Sequence, residues 1–251
     1  MSGVLYGVGT GPGDPELLTL KAVKAISGAD VMAYFAKRGN PSNARAIVAD
    51  HIRADQIEER LDYPVTTESH RHSEDYRTQI SAFYEEAASR LASHLDAGRN
   101  VAVLSEGDPL LYGSYMHLHQ RLTVCYPIHV IAGITAMSGG WSAAGLPLVQ
   151  GDDILTVVPG TLDIEELERR LRDSEGVVIM KLGRNLPKVR QALINTGRLN
   201  GAVYVERGTM AAEKICPLAD KPDDTAPYFS LILVNASATG MLCKDHVFHI
   251  P

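Results

Sequence analysis

The chain of 251 residues carries 30 Asp and Glu against 24 Lys and Arg, a formal net charge of -6, with 45% hydrophobic and 22% charged residues. This length and balance fit a globular enzyme or binding protein with a full core and room for two domains, and the acidic excess argues against a general nucleic-acid binder. No apolar run reaches the roughly eighteen residues of a membrane-crossing helix, and no basic-then-apolar secretory signal opens the chain. Three cysteines, Cys125, Cys216 and Cys243, are too scattered for a disulfide framework. A reducing, cytoplasmic setting is the default expectation.

Strands and helices are predicted to alternate from the start. Residues 4–8 read as an apolar strand that runs into Gly9-Thr10-Gly11-Pro12-Gly13-Asp14-Pro15. Residues 17–29 read as a helix with acid in its first turn, 31–34 as a strand and 43–51 as helical. A short extended segment at 63–65 precedes a polar loop at 66–72. Residues 76–97 form a long amphipathic helix, with Ile80, Phe83, Tyr84, Ala87 and Leu91 at spacings of three and four. Gly98 closes it as a glycine after the last turn does. The apolar run 101–104 has the pattern of a buried parallel strand. Residues 125–132 read as a strand and 135–144 as a small-residue helix packed closely against a neighbour.

The second half repeats the rhythm. Strands are predicted at 154–158, 176–180, 202–205, 228–234 and 247–250, with helices at 164–172 and 186–196. Strands separated by helices in both halves argue for two α/β domains, 1–132 and 133–251, with the junction between 118 and 148.

Several strands end in glycine-rich turns, at the edge where open α/β sheets bind ligands. The first is the loop at 9–15. There Gly9, Gly11 and Gly13 permit positive φ and close approach, and Pro12 and Pro15 stiffen the chain. The second is Ser105-Glu106-Gly107-Asp108-Pro109-Leu110-Leu111-Tyr112-Gly113. Asp108 is either an acceptor for a ligand hydroxyl or amine, or an Asp-Pro turn that caps the next helix. In Ala132-Gly133-Ile134-Thr135-Ala136, Thr135 is either an N-cap or a ligand contact. Met180, before Lys181, lies against a ligand ring or fills the core. Glu206-Arg207-Gly208-Thr209-Met210 follows the same strand-then-glycine logic.

The dinucleotide fingerprint is broken: Pro12 removes an N–H and Asp14 opposes a pyrophosphate. No phosphate-binding Gly-x-x-x-x-Gly-Lys-Ser/Thr loop occurs, nor a His-Glu-x-x-His motif or a serine nucleophile elbow. His70 and His72, His117 and His119, and Cys243-Lys244-Asp245-His246 with His249 are metal ligands on paper only, since the cysteines never pair closely. No metal is expected. An acidic loop suits a cofactor that carries positive charge and no phosphate, as S-adenosylmethionine does.

On these residues the chain resembles the tetrapyrrole (corrin/porphyrin) methyltransferases. The matching pieces are Gly7-Val8-Gly9-Thr10-Gly11-Pro12-Gly13-Asp14-Pro15 with Leu18-Thr19-Leu20, then Gly107-Asp108-Pro109 with Tyr112-Gly113, then Gly133-Ile134-Thr135-Ala136 and Met180-Lys181. Their order and spacing follow the family along nearly the whole chain. Ala132 stands where many relatives carry proline. Tyr63-Pro64-Val65-Thr66, the run from Ser105 to Ser114, and the run from Glu206 to Met210 are most similar to the family's precorrin-2 C20-methylating group.

The resemblance implies the tetrapyrrole methylase fold, with two α/β domains, a cleft between them and a homodimer. It implies S-adenosylmethionine, leaving as S-adenosylhomocysteine, held by Pro12, Gly107, Asp108, Pro109, Tyr112, Thr135, Ala136, Met180, Thr209 and Met210. It implies an acidic tetrapyrrole in contact with Gly11, Asp14, Lys181 and Arg207. Lys37, Arg38, Arg45, Arg71 and Arg184 are further candidates for its carboxylates, or else solvated surface charges. No catalytic residue is assigned, because direct displacement at a sulfonium methyl needs alignment more than a strong base. Alternatives are the same methylation on cobalt-factor II, methylation at another ring position, and a non-catalytic S-adenosylmethionine-binding regulator.

Overall fold

A computed structural model describes residues 1–64 and 74–236. Arg71, His70, His72 and the rest of the expected loop at 66–72 lie outside the described residues. So do Val65, Cys243, Lys244, Asp245, His246, His249 and the run 247–250. The chain divides into two compact units, Met1–Ala136 and Met137–Pro251.

The first unit is built on β1 (Leu5–Gly9), β2 (Val31–Lys37), β3 (Ile57–Tyr63), β4 (Val101–Ser105) and β5 (Ile128–Ile131). They pair in the order β3-β2-β4-β1-β5, all parallel. Its helices are α1 (Leu20–Gly28), α2 (Asn43–Ile47), α3 (Glu74–Asp96) and α4 (Tyr115–Leu122). The period of two along each strand sends alternate side chains to opposite layers. Leu5, Val31, Val101 and Val103 pack with Leu91 and Leu95 of α3 and with Tyr115 and Leu118 of α4. Val8, Met32, Ala102 and Leu104 pack with Ala22 and Ile26 of α1 and with Ala44 and Ile47 of α2. Both faces of the sheet are therefore covered, which is why its central strands are almost wholly apolar.

The helix expected from residue 17 starts at Leu20. Thr19 caps it, accepting the Ala22 N–H at 3.1 Å, and Pro15–Leu17 form a separate 3-10 turn. The expected helix at 43–51 divides into α2 and a 3-10 turn at Ala49–His51. Gly98 ends α3 with φ +78: its N–H reaches the Leu95 carbonyl and that of Arg99 the His94 carbonyl, both helix-terminating bonds.

Two elements of the first unit were not legible. β3 carries Glu58, Glu59, Arg60 and Asp62, charges that mask a strand. It is the sheet's edge, where charged side chains are tolerated and discourage pairing with another chain. α4 buries only Tyr115, Leu118 and Leu122 among polar residues, and the preceding glycine and serine read as loop.

The second unit contains α5 (Ala136–Ala143, its first residue counted with the first unit), α6 (Ile164–Arg172) and α7 (Leu186–Asn195). Its strands are β6 (Leu155–Pro159), β7 (Gly176–Met180), β8 (Ala202–Glu206), β9 (Lys214–Pro217) and β10 (Ser230–Val234), in the order β6-β7-β10-β8-β9. β6 and β7 are parallel, β10 runs antiparallel to β7 and β8, and β9 runs antiparallel to β8. Because β10 opposes both neighbours, β7 and β8 run the same way and deliver Met180 and Glu206 to one edge. The short β9 was not expected. The small-residue helix α5 does pack closely: a Cβ on Gly140 would lie 3.3 Å from the Leu231 side chain of β10.

Gly7 marks the tightest packing between sheet and helix in the first unit. A Cβ there would lie 2.2 Å from Cζ of the fully buried Tyr115. Gly7→Ala is expected to cost about 3 kcal/mol in urea unfolding, at or beyond the upper end of overpacking penalties. In Tyr115→Ala, where the ring is gone, the same change is expected to cost little.

Candidate functional site

The loops that follow β4, β1 and β5 are neighbours, because those strands are adjacent in the sheet. The chain leaving β1 is tied to the chain leaving β4. Thr10, fully buried, donates its N–H to the Ser105 carbonyl at 2.9 Å and its hydroxyl to the same oxygen at 3.2 Å. Gly11 and Gly107 then form an isolated antiparallel bridge, the Gly107 N–H reaching the Gly11 carbonyl at 2.8 Å. Both glycines have positive φ, +75 and +67.

The β5 loop enters where no side chain fits. A Cβ on Gly133 would sit 2.0 Å from the Gly107 carbonyl oxygen, and one on Gly9 would sit 2.5 Å from the Gly133 nitrogen. Gly107 lies in van der Waals range of Thr135 and Ala136, at 3.7 and 3.6 Å from a notional Cβ. Asp108 links the loops: Oδ1 accepts the Leu110 N–H at 2.9 Å and Oδ2 accepts the Gly133 N–H at 3.1 Å. The two readings of Asp108 are thus not exclusive. It is a turn acceptor whose second oxygen fixes the neighbouring loop.

Gly11, Gly107, Asp108, Thr135 and Ala136 therefore meet in one cradle made largely of backbone. Pro12 and Pro109 are buried and stiffen the loops they belong to. Tyr112 is 44% exposed with φ +54. Asp14 caps the turn at Pro15–Leu17, accepting the Glu16 N–H at 2.9 Å. The segments 7–18, 105–114 and 132–144 contain Asp14, Glu16, Glu106 and Asp108 but no lysine or arginine. That set of acceptors fits a cationic, phosphate-free cofactor and opposes a nucleotide phosphate.

In the second unit, Met180, Lys181 and Arg207 to Met210 lie at one edge of the sheet, on either side of β10. Met180 is half-buried and packs against the buried cluster that includes Val178, Val205 and Leu231, so its side chain is core filler at least in part. Its carbonyl accepts the Gly160 N–H at 2.6 Å. Arg207 to Met210 form a turn, closed by the Met210 N–H on the Arg207 carbonyl at 2.9 Å. The Arg207 N–H is held by the Phe229 carbonyl at 2.8 Å and the Thr209 N–H by Glu213 Oε2 at 2.6 Å.

Glu206 anchors this turn from below. Its buried carboxylate accepts the Tyr204 hydroxyl at 2.9 Å and lies 3.3 Å from Lys214 Nζ and 3.5 Å from Arg207 Nη1. Burial alone raises its pKa, but the Tyr204 hydroxyl and the Lys214 ammonium outweigh that and hold it below the usual carboxylate range. The Tyr204–Glu206 pairing was missed in the sequence, although their i, i+2 spacing on one strand face is the signal that could have found it. Nothing in the sequence marked Glu213.

Among the described residues, the non-glycine positions with positive φ are Tyr112, Lys181, Arg207 and Thr209. All of them are predicted site residues. Such backbones are costly and gather where function fixes them.

Of the other cations, Arg45 is committed elsewhere, forked onto Glu58 at 2.9 and 3.1 Å, with the Tyr34 hydroxyl on the same carboxylate. Lys37, Arg38 and Arg184 are exposed. His94 lies between Glu59 and Arg99, His117 stacks on Tyr84 at 4.2 Å, and His119 meets the Tyr115 hydroxyl. No metal-ligating cluster occurs among the described residues, Cys125 and Cys216 are free, and no described helix is long and apolar enough to cross a membrane.

The family model of the tetrapyrrole (corrin/porphyrin) methylases matches residues 4–221. The chain is 63% identical to a precorrin-2 C(20)-methyltransferase of Sinorhizobium over 93% of its length and 97% of that protein. It is 49% identical to the cobalamin biosynthesis protein CobIJ of Mycobacterium bovis over 92% of its length, spanning 46% of that longer protein. It is 27% identical to a cobalt-precorrin-2 C(20)-methyltransferase of Salmonella typhimurium, covering 94% and 97% of the two chains. In fold it is similar to the crystal structure of the cobalt precorrin-4 methyltransferase CbiF, with a TM-score of 0.72 at 22% identity over 94% and 96% of the chains. The chain belongs to the tetrapyrrole methylase family, and its two α/β units have that family's fold.

Thr209 is β-branched at φ +68, a position that favours glycine. Thr209→Gly is expected to stabilise the protein by about 1 kcal/mol, the conformational penalty released. A thermal melt measures it. An unchanged or lowered midpoint excludes stored strain at this turn.

Proposed function

We propose that the protein transfers the methyl group of S-adenosylmethionine to C20 of precorrin-2, giving precorrin-3A in cobalamin biosynthesis. The observation that carries the ring position is the 63% identity, across nearly both full lengths, to a protein named for that reaction. The cofactor reading is supported separately by the cradle's chemistry, with its backbone acceptors, carboxylates and lack of any cation in the three loop segments.

When bound, S-adenosylmethionine supplies an electrophilic methyl group on a sulfonium. The chain's own contribution is to hold and align. Gly107, Asp108, Thr135 and Ala136 present backbone and carboxylate groups to the cofactor, and Pro12 and Pro109 keep the loops rigid. Tyr112, Met180, Thr209 and Met210 complete this cofactor set. Gly11 and Asp14 contact the tetrapyrrole, and Lys181 and Arg207 take its carboxylates. Their strained backbones point to fixed rather than searching side chains. No general base is assigned, since a proton can leave the activated macrocycle after methyl transfer. The resemblance to the family also supports a homodimer, and the few scattered cysteines a reducing, cytoplasmic setting.

A metal-free substrate is favoured over cobalt-factor II by the greater identity to the precorrin-2 enzyme than to the cobalt-precorrin-2 enzyme, 63% against 27%. Incubation of each substrate with methyl-labelled cofactor, followed by carbon NMR, tests both points. The expected product carries one label, at C20, from precorrin-2. A label elsewhere on the ring overturns the ring position, and product from cobalt-factor II alone overturns the substrate. In calorimetry, S-adenosylmethionine and S-adenosylhomocysteine are expected to bind and NAD and ATP to give no heat.

Asp108→Ala is expected to weaken S-adenosylhomocysteine binding about tenfold or more, because it removes a carboxylate and frees the Gly133 N–H at once. Asp108→Asn keeps one oxygen acceptor and is expected to lose less. Wild-type affinity in both variants places Asp108 outside the cofactor site.

A further inference from the structure

Ser114 precedes α4 with a helical backbone, φ -69 and ψ -22, and its side chain makes no capping bond. Its hydroxyl is instead hydrogen-bonded to the hydroxyl of Tyr63, the last residue of β3. The Tyr84 hydroxyl, from α3, lies beside both.

The rings that carry these hydroxyls are held firmly. Tyr63 stacks on Phe35 with centroids 5.6 Å apart and packs against Phe83 at 5.1 Å. Tyr84 is buried and stacks on His117 of α4 at 4.2 Å. Ser114 is thus tied to β3, beside Tyr84 of α3.

Immediately before Ser114 the chain is crowded and strained. A Cβ on Gly113 would lie 3.0 Å from Ser105 Oγ and 3.1 Å from the Pro109 carbonyl oxygen, and Tyr112 has φ +54. On the upstream side the loop is pinned by Asp108 at the Leu110 N–H. On the downstream side the Ser114 hydroxyl is tied to Tyr63. Strained backbone persists only where its surroundings over-determine it.

We infer that Tyr63 is a positioning residue: through Ser114 it clamps the downstream end of the Gly107–Gly113 loop and so holds Tyr112 in its cofactor-binding conformation. The inference rests on the proposed cofactor reading. It assigns a role to Tyr63 and Ser114, which the sequence singled out as motif residues without one.

The test uses the full-length protein and S-adenosylhomocysteine as the calorimetric probe, alongside cofactor KM, kcat and thermal midpoint. Tyr63→Phe keeps the ring and is expected to raise both the dissociation constant and the cofactor KM about tenfold, with kcat nearly unchanged. Ser114→Ala is expected to do the same, the double variant no more than either alone, and Ser114→Thr to retain wild-type affinity. A purely structural role would lower the thermal midpoint of Tyr63→Phe and leave its KM and dissociation constant as in the wild type, and that result overturns the inference. Additive effects in the double variant overturn the clamp as its mechanism. If wild-type protein itself fails to bind S-adenosylhomocysteine, the cofactor reading falls and this inference with it.

Discussion

The site in the first unit depends on the close approach of chain segments that no side chain would permit. Gly9, Gly107 and Gly133 bring the exits of β1, β4 and β5 into backbone contact, with a Cβ on Gly133 only 2.0 Å from the Gly107 oxygen. Adjacent parallel strands lie about 4.8 Å apart, so their exit loops meet only if the residues between them are small. The approach has a consequence for polar groups. Once Gly133 is pressed against Gly107, its N–H has no strand partner and needs an acceptor. Asp108 supplies it at 3.1 Å. A carboxylate at that position is therefore required by the packing before any ligand is considered, and a ligand finds the loop already fixed.

The same constraint explains why the site is poor in ionisable machinery. A cradle assembled from main chain has few positions for long side chains, and those present are acidic or small. Methyl transfer from a sulfonium tolerates this, because alignment carries most of the barrier reduction and no covalent enzyme intermediate is needed. The positive side chains lie on other loops: Lys181 and Arg207 stand at the edge of the second unit's sheet, where β7 and β8 end. Arg207 is not left to wander. Glu206 beneath it is buried and shared with Tyr204 and Lys214, which orients the arginine without fully neutralising the turn.

What the sequence revealed follows from what each element needs. The apolar runs of β1, β4 and β7 were legible because strands covered on both faces admit few polar residues. The glycine loops were legible because steric demands so tight leave only one residue type, so Gly9, Gly107 and Gly133 stood out before any fold was known. β3 was not, since an edge strand bearing Glu58, Glu59, Arg60 and Asp62 has a loop's composition, and only its pairing with β2 makes it a strand. Glu213 was invisible because its role, accepting the Thr209 N–H across a turn, depends on a loop path that no periodicity encodes. The bond from Tyr63 to Ser114 joins residues far apart in the chain whose types are common on surfaces.

The strained positions tie these observations together. Tyr112, Lys181, Arg207 and Thr209 each hold a backbone that glycine would adopt at lower energy, in a chain that uses glycine freely elsewhere. A turn built only for stability would carry glycine there. Keeping a side chain at such a point costs about 1 to 2 kcal/mol each time, a large share of the margin by which a domain stays folded. The cost is offset by local bonds that leave the turns no alternative: the Phe229 and Glu213 acceptors around Arg207 and Thr209, and the Asp108 and Ser114 tethers on either side of Tyr112. Each of these side chains leaves the backbone in a direction that ordinary strand or helix geometry does not offer. The rigidity lies in the loops as well as in the sheets, and it is concentrated at the residues the chemistry is expected to touch.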